Sequence, residues 1–150
     1  MKLAEALQQR ADLTRRIEQL RDRLNKNAKK QEGTEPAEDP RELLAELSRC
    51  LEEESRLITA INLTNSRIRV DGETMTALLA RRDALKKHAA IMQAFCTEAS
   101  AMVDRYSAKE IRILSTVDVR AIRAECDRLS AEYRRLDSQI QAANWRYDLK

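Results

Sequence analysis

The stretch Asp104–Asp118, DRYSAKEIRILSTVD, differs from the sequence on both sides of it. Before and after it, apolar residues recur at alternating steps of three and four, the spacing of a helix that packs along one stripe. Inside it the period falls to two, with Ile111 and Ile113 flanking Arg112. Ser107 with Glu110, and Ser115 with Asp118, have the spacing of a capping box, which closes the free amides of a helix start. The stretch therefore reads as a joint between two long helices. Its middle, Glu110 to Leu114, is open to two readings, a strand seeking a partner edge or the start of a helix.

The helix entering the joint spans about 75–106 and carries two apolar seams. One is Leu78, Arg82, Leu85, Ala89, Met92, Cys96, Ala99 and Val103; the other is Ala84, His88, Ile91, Phe95 and Met102. A helix apolar on two sides is expected to be central, with neighbours on both. The helix leaving the joint spans about 116–144, along Val119, Ile122, Cys126, Leu129, Tyr133, Leu136, Ile140 and Ala143. Its tail holds Trp145 and Tyr147, aromatics expected to dock.

Upstream, two more helices are written in the same code. The first, about 1–30, has Leu3, Ala6, Leu7, Leu13, Ile17, Leu20 and Leu24 on one face. An acidic linker, 31–39, contains Gly33 and Pro36. Asp39 as N-cap, Pro40 at the first helical position and Glu42 three residues after the cap then start the second helix, about 40–65. Its expected seam is Leu44, Leu47, Leu51, Glu54, Ile58, Ile61 and Asn65, widened by Leu43, Cys50 and Leu57. Asp71-Gly72, with Ile68 and Val70 just before it, predicts a short β-hairpin into the third helix, with Thr64 and Asn65 able to cap the helix or the hairpin. The fold class is thus all-α: one domain, 1–150, built as an antiparallel bundle of four long heptad-patterned helices with a β-hairpin connector.

Composition agrees. Charged residues are 35% of the chain, aromatics 3%, and Gly and Pro number two each. The net charge of +3 comes from interspersed signs, not from the clustered basic face and stacking aromatics of a nucleic-acid binder. The N-terminus turns polar too soon for a signal-peptide core, and no run reaches the length of a membrane span. Three cysteines, an odd number without local pairing, point to free thiols in a reducing compartment, so the expectation is a cytoplasmic protein.

Candidate chemistry is sparse. A single histidine, His88, is expected to be a packed or snorkelling core residue. Cys96 and Cys126 fall on seams, as small hydrophobes or as a redox pair. Arg82 reads as a snorkelling stem or a partner for a carboxylate such as Glu54. No catalytic, cofactor-binding or metal-binding residues are assigned and no cofactor is expected. The best candidate for a functional surface is the joint, through Arg105, Tyr106, Glu110, Ile111, Arg112, Ile113 and Asp118.

Several segments together resemble the septicolysin-like family of small bacterial proteins: the opening MKLAEAL, Gln31–Gly33, Glu35–Pro40, Ile61–Asn65, Asp71-Gly72, Ala80–Leu85, Asp104–Ser107, Ser115–Val119 and Ala143–Trp145. The family name implies a cytolysin, but the resemblance brings no established activity and no site residues. Three functions are weighed. The first is a non-enzymatic, self-associating scaffold or interaction module, with an unknown protein partner possible. The second, resting on the family name, is a membrane-active, septicolysin-type pore-forming protein acting through amphipathic helices. The third is an enzyme with a site in the bundle core around Arg82, His88, Tyr106 and Glu110. If the alternation at the joint drives self-assembly, lysine at both Ile111 and Ile113 lowers the particle mass in light scattering and leaves the helical circular dichroism unchanged.

Overall fold

A computed structural model describes residues 1–101 and 112–150. Its elements run α1 (Leu3–Lys26), α2 (Pro40–Arg67), β1 (Arg69–Val70), β2 (Glu73–Thr74), α3 (Met75–Ser100) and α4 (Val119–Arg146). The protein is mostly helical, with the expected short antiparallel hairpin between its second and third helices. Chain contacts divide it into two units, residues 1–75 with 141–150, and residues 76–140.

In the first unit α1 and α2 pack antiparallel. Gln9 Nε2 donates to Glu53 Oε1 at 2.9 Å, Arg16 to Glu46 Oε1 at 2.6 Å from its Nη2, and Arg23 Nε to Glu38 at 3.0 and 3.1 Å. The donors advance by heptads along α1 while the acceptors retreat toward the start of α2. Leu3, Ala6, Leu13 and Leu20 are buried on α1, as its seam requires. On α2 the buried stripe is Leu43, Cys50, Leu57, Ile61 and Thr64. Leu44 and Leu51, placed on the seam by sequence, are 53% and 46% exposed, so the face is turned by one residue from the expected one. Each heptad of α2 offers two adjacent apolar residues, and the first of each pair faces α1. Glu54 keeps its place near the seam because Thr14 Oγ1 donates to its Oε1 at 2.6 Å.

The α2 start forms as read, with Pro40 at its first position and the Asp39 carboxylate accepting from Arg41 N at 2.9 Å. The linker before it is anchored more firmly than its composition suggests. Asn27, buried at the end of α1, donates through Nδ2 to Arg23 O at 2.8 Å and accepts Glu38 N at 3.0 Å. The Arg23 hydrogen bond holds the Glu38 carboxyl below its usual range.

The hairpin pairs Arg69 with Thr74 and Val70 with Glu73. Asp71 at φ 50° and Gly72 at φ 89° form the two-residue turn, both left-handed, as a right-twisted hairpin demands. Ile68, just before it, is buried and accepts Met75 N at 3.2 Å.

The chain ends join this unit. Leu3 N donates to Tyr147 O and Leu149 N to Met1 O, both at 2.9 Å. Tyr147 Oη donates to Arg69 O at 2.9 Å, so this aromatic docks on the hairpin. Trp145 does not: it is 63% exposed. Thr64, wholly buried, caps neither helix nor hairpin with its side chain; Oγ1 accepts Lys150 N at 2.9 Å instead.

In the second unit α3 and α4 run antiparallel, with Arg82 of α3 reaching Asp137 near the far end of α4 at 3.4 Å. Cys126, Leu129, Leu136 and Ile140 are buried on α4, on the expected seam. Helix α4 begins at Val119, not Thr116. Asp118 is its N-cap, accepting from Arg120 N at 3.0 Å and Ala121 N at 3.2 Å. Ser115 therefore forms no capping box with Asp118; its hydroxyl donates to Val117 O at 3.0 Å in a local turn.

Valine at Thr64 keeps the side-chain volume and removes the acceptor for Lys150 N. We expect a loss of about 1 kcal/mol in urea unfolding, together with faster amide exchange at Leu149 and Lys150.

Candidate interaction surface

The two seams of α3 have different fates. On the first, Leu78 and Cys96 are buried, while Arg82, Leu85, Ala89, Met92 and Ala99 are half-buried. On the second, Ala84 and His88 are exposed, Ile91 is 67% exposed and Phe95 is 42% exposed, while Met102, like Val103 of the first seam, lies outside the described residues. The expectation of neighbours on both sides of this helix is therefore corrected: one seam is used and the other is open. The steps from Ala84 to His88, Ile91 and Phe95 are four, three and four, so the open face keeps coiled-coil spacing. His88 is not a packed core residue, since it lies on this open stripe.

Polar residues near the used seam are committed to pairs. Arg82 binds Asp83 at 3.1 Å and Asp137 at 3.4 Å; the partner guessed from sequence, Glu54, is not the one used. On α4, Arg128 donates to Glu125 at 2.6 Å and to Glu132 at 3.1 Å. The hydrogen bond to Arg128 holds the Glu125 carboxyl below its ordinary range, with a smaller contribution from His88.

Between α3 and α4 lies a cleft of about 340 Å³, lined by Gln93, Cys96, Thr97, Ser100, Arg123, Cys126 and Asp127. Both thiols are buried. Burial, and after it the neighbouring Cys96, push the Cys126 thiol up. In the first unit, exposed Trp145 borders a second cleft of about 350 Å³ with Ala4, Glu5, Gln8, Gln9 and Asp12. Among the described residues, no group of three or more histidine, cysteine, aspartate or glutamate side chains is placed to hold a metal ion.

Of the joint residues singled out by sequence, Arg105, Tyr106, Glu110 and Ile111 lie outside the described residues. The Ser107–Glu110 box and the strand-like middle fall there too, as far as Ile111. Arg112 and Ile113 are exposed and in no regular element, Ile113 to 71%. Asp118 is spent on capping α4. The surface that sequence reasoning missed is the open α3 seam. Its residues were visible, but a second apolar stripe looks the same whether a neighbour covers it or not.

Residues 10–149 match the model of a Family of unknown function (DUF6847), and the chain belongs to that family. Its fold is that of a crystal structure described as a functionally unknown conserved protein from Corynebacterium diphtheriae. The two are 40% identical, with a TM-score of 0.94 over 100% of this chain and 99% of that one. No match is found among curated proteins.

Arg82 and Asp137 retain 25% and 33% exposure, so solvent screens their pair. Arg82→Met and Asp137→Asn should each cost no more than about 1 kcal/mol in chemical denaturation. The double variant should cost less than the sum, because both remove the same contact.

Proposed function

We propose that this protein is a non-enzymatic helical module that associates with copies of itself through the open seam of α3 and serves as a scaffold for other proteins. The observation that carries the reading is Ile91 at 67% and Phe95 at 42% exposure, at coiled-coil spacing, on a helix whose neighbouring seam is already packed. Another helix with the same spacing is the natural cover for such a stripe, and a second copy supplies one. Fully burying a side chain of this size contributes roughly 1.5–3 kcal/mol, so a few such residues on each copy suffice for weak, reversible association. Exposed Leu44 and Leu51 give α2 a further apolar stripe for a partner.

A non-catalytic role is supported by how the described polar side chains are spent. Asp118 and Asp39 cap helices, Arg82 and Arg128 sit in ion pairs, and Thr64 holds the tail. A cytoplasmic setting is supported by three free, buried cysteines. Kinship with the septicolysin-like proteins stands as a separate proposal, resting on the sequence segments that resemble them. Among the described residues no helix is long and apolar enough to cross a membrane.

Multi-angle light scattering across a concentration series tests the self-association. The wild-type mass should rise above that of one chain, and Ile91→Lys combined with Phe95→Lys should return it to one chain with helical content unchanged. A wild-type mass of one chain at every concentration would sink the reading.

A further inference from the structure

Of the three cysteines, two share one cleft. Cys50 lies on α2 in the first unit, buried in the stripe that faces α1. Cys96 and Cys126 lie in the second unit, on facing helices, 4% and 5% exposed, and both line the cleft between α3 and α4. The rest of the lining is polar: Gln93, Thr97, Ser100, Arg123 and Asp127. The two buried sulfurs thus line one polar cleft large enough to admit a small oxidant, whereas Cys50 is set in apolar packing. Cys96 also sits near the C-terminal end of α3. Ser100, the last residue of that helix, turns its hydroxyl back to donate to Cys96 O at 2.8 Å and Thr97 O at 3.2 Å.

We propose that Cys96 and Cys126 form a peroxide-responsive cross-linking site that covalently joins α3 to α4. One thiolate attacks the peroxide; the O–O bond breaks, hydroxide leaves and the sulfur becomes a sulfenic acid. The second thiol attacks that sulfur; the S–S bond forms, the S–O bond breaks and water leaves. In sum two thiols lose two electrons and two protons, and hydrogen peroxide is reduced to two waters. Burial raises the proton affinity of the Cys126 thiol, so thiolate is scarce at neutral pH and the oxidation is slow. The product closes the chain between positions 96 and 126 into a loop, which restricts the unfolded state and raises thermal stability.

The test uses the reduced full-length protein treated with hydrogen peroxide and then denatured and alkylated. Alkylatable thiols should fall from the three free cysteines to one. A non-reducing digest should yield a peptide joining Cys96 to Cys126, dithiothreitol should restore all the thiols, and the melting temperature of the oxidised chain should rise. Cys50→Ser should leave the cross-link intact, and Cys96→Ser and Cys126→Ser should each abolish it. If a serine variant fails to fold, the thiol count and peptide map of the wild type still decide the matter. Oxidation that yields only oxygen adducts, or only links between chains, would overturn the proposal.

Discussion

One buried hydroxyl organises the first unit. Thr64 is wholly inaccessible, and its Oγ1 accepts the amide of Lys150, 86 residues away in sequence. Around this bond, Leu3 and Tyr147, Met1 and Leu149, and Tyr147 and Arg69 exchange further hydrogen bonds. The start of α1, the end of α2, the hairpin and the tail after α4 thus share one set of contacts. A polar atom in a helix seam is costly when unpaired. Here the tail satisfies it, and in doing so fixes where the tail lies. The antiparallel seam of α1 and α2 can then close along its length, with the Asn27 and Glu38 contacts tying off the opposite end.

The second unit is built on a different balance. Its two helices share one apolar seam, interrupted by the half-buried Arg82 and its two carboxylates. A seam with a charged member is less adhesive than an all-leucine one. Its other apolar stripe, on α3, is left facing out. A helix of this length with only one of its two stripes covered keeps the spacing needed to receive another helix, and that is the physical basis for reading the protein as a module that associates. The same pair of helices places two thiols at one cleft. Association and thiol chemistry use neighbouring faces of α3, since Phe95 directly precedes Cys96 in the helix.

Much of the architecture was legible because heptad spacing is read directly from apolar residues. The seams of α1 and α4, the Asp39-Pro40 start and the Asp71-Gly72 turn all follow from local pattern. What local pattern could not decide was a choice between neighbours. Leu43 and Leu44, Cys50 and Leu51, Leu57 and Ile58 offer α2 two equally apolar faces, and only packing against α1 selects the first of each pair. Arg82 likewise had several carboxylates within reason, and the antiparallel register of α3 and α4 selects Asp137. The role of Thr64 was hidden because its partner is an amide far along the chain. The proposed surface was legible as a stripe but not as an open one, because exposure is a property of the neighbours that a helix lacks.

Phe95 is the only phenylalanine in the chain, so fluorophenylalanine incorporation places one fluorine on the open seam. Its resonance, followed through a dilution series in light and heavy water, reads the exposure of that position directly. Self-association through α3 predicts a concentration-dependent shift and a solvent-isotope effect that shrinks as the protein is concentrated. A resonance that stays fixed, with a full solvent-isotope effect at every concentration, would contradict it.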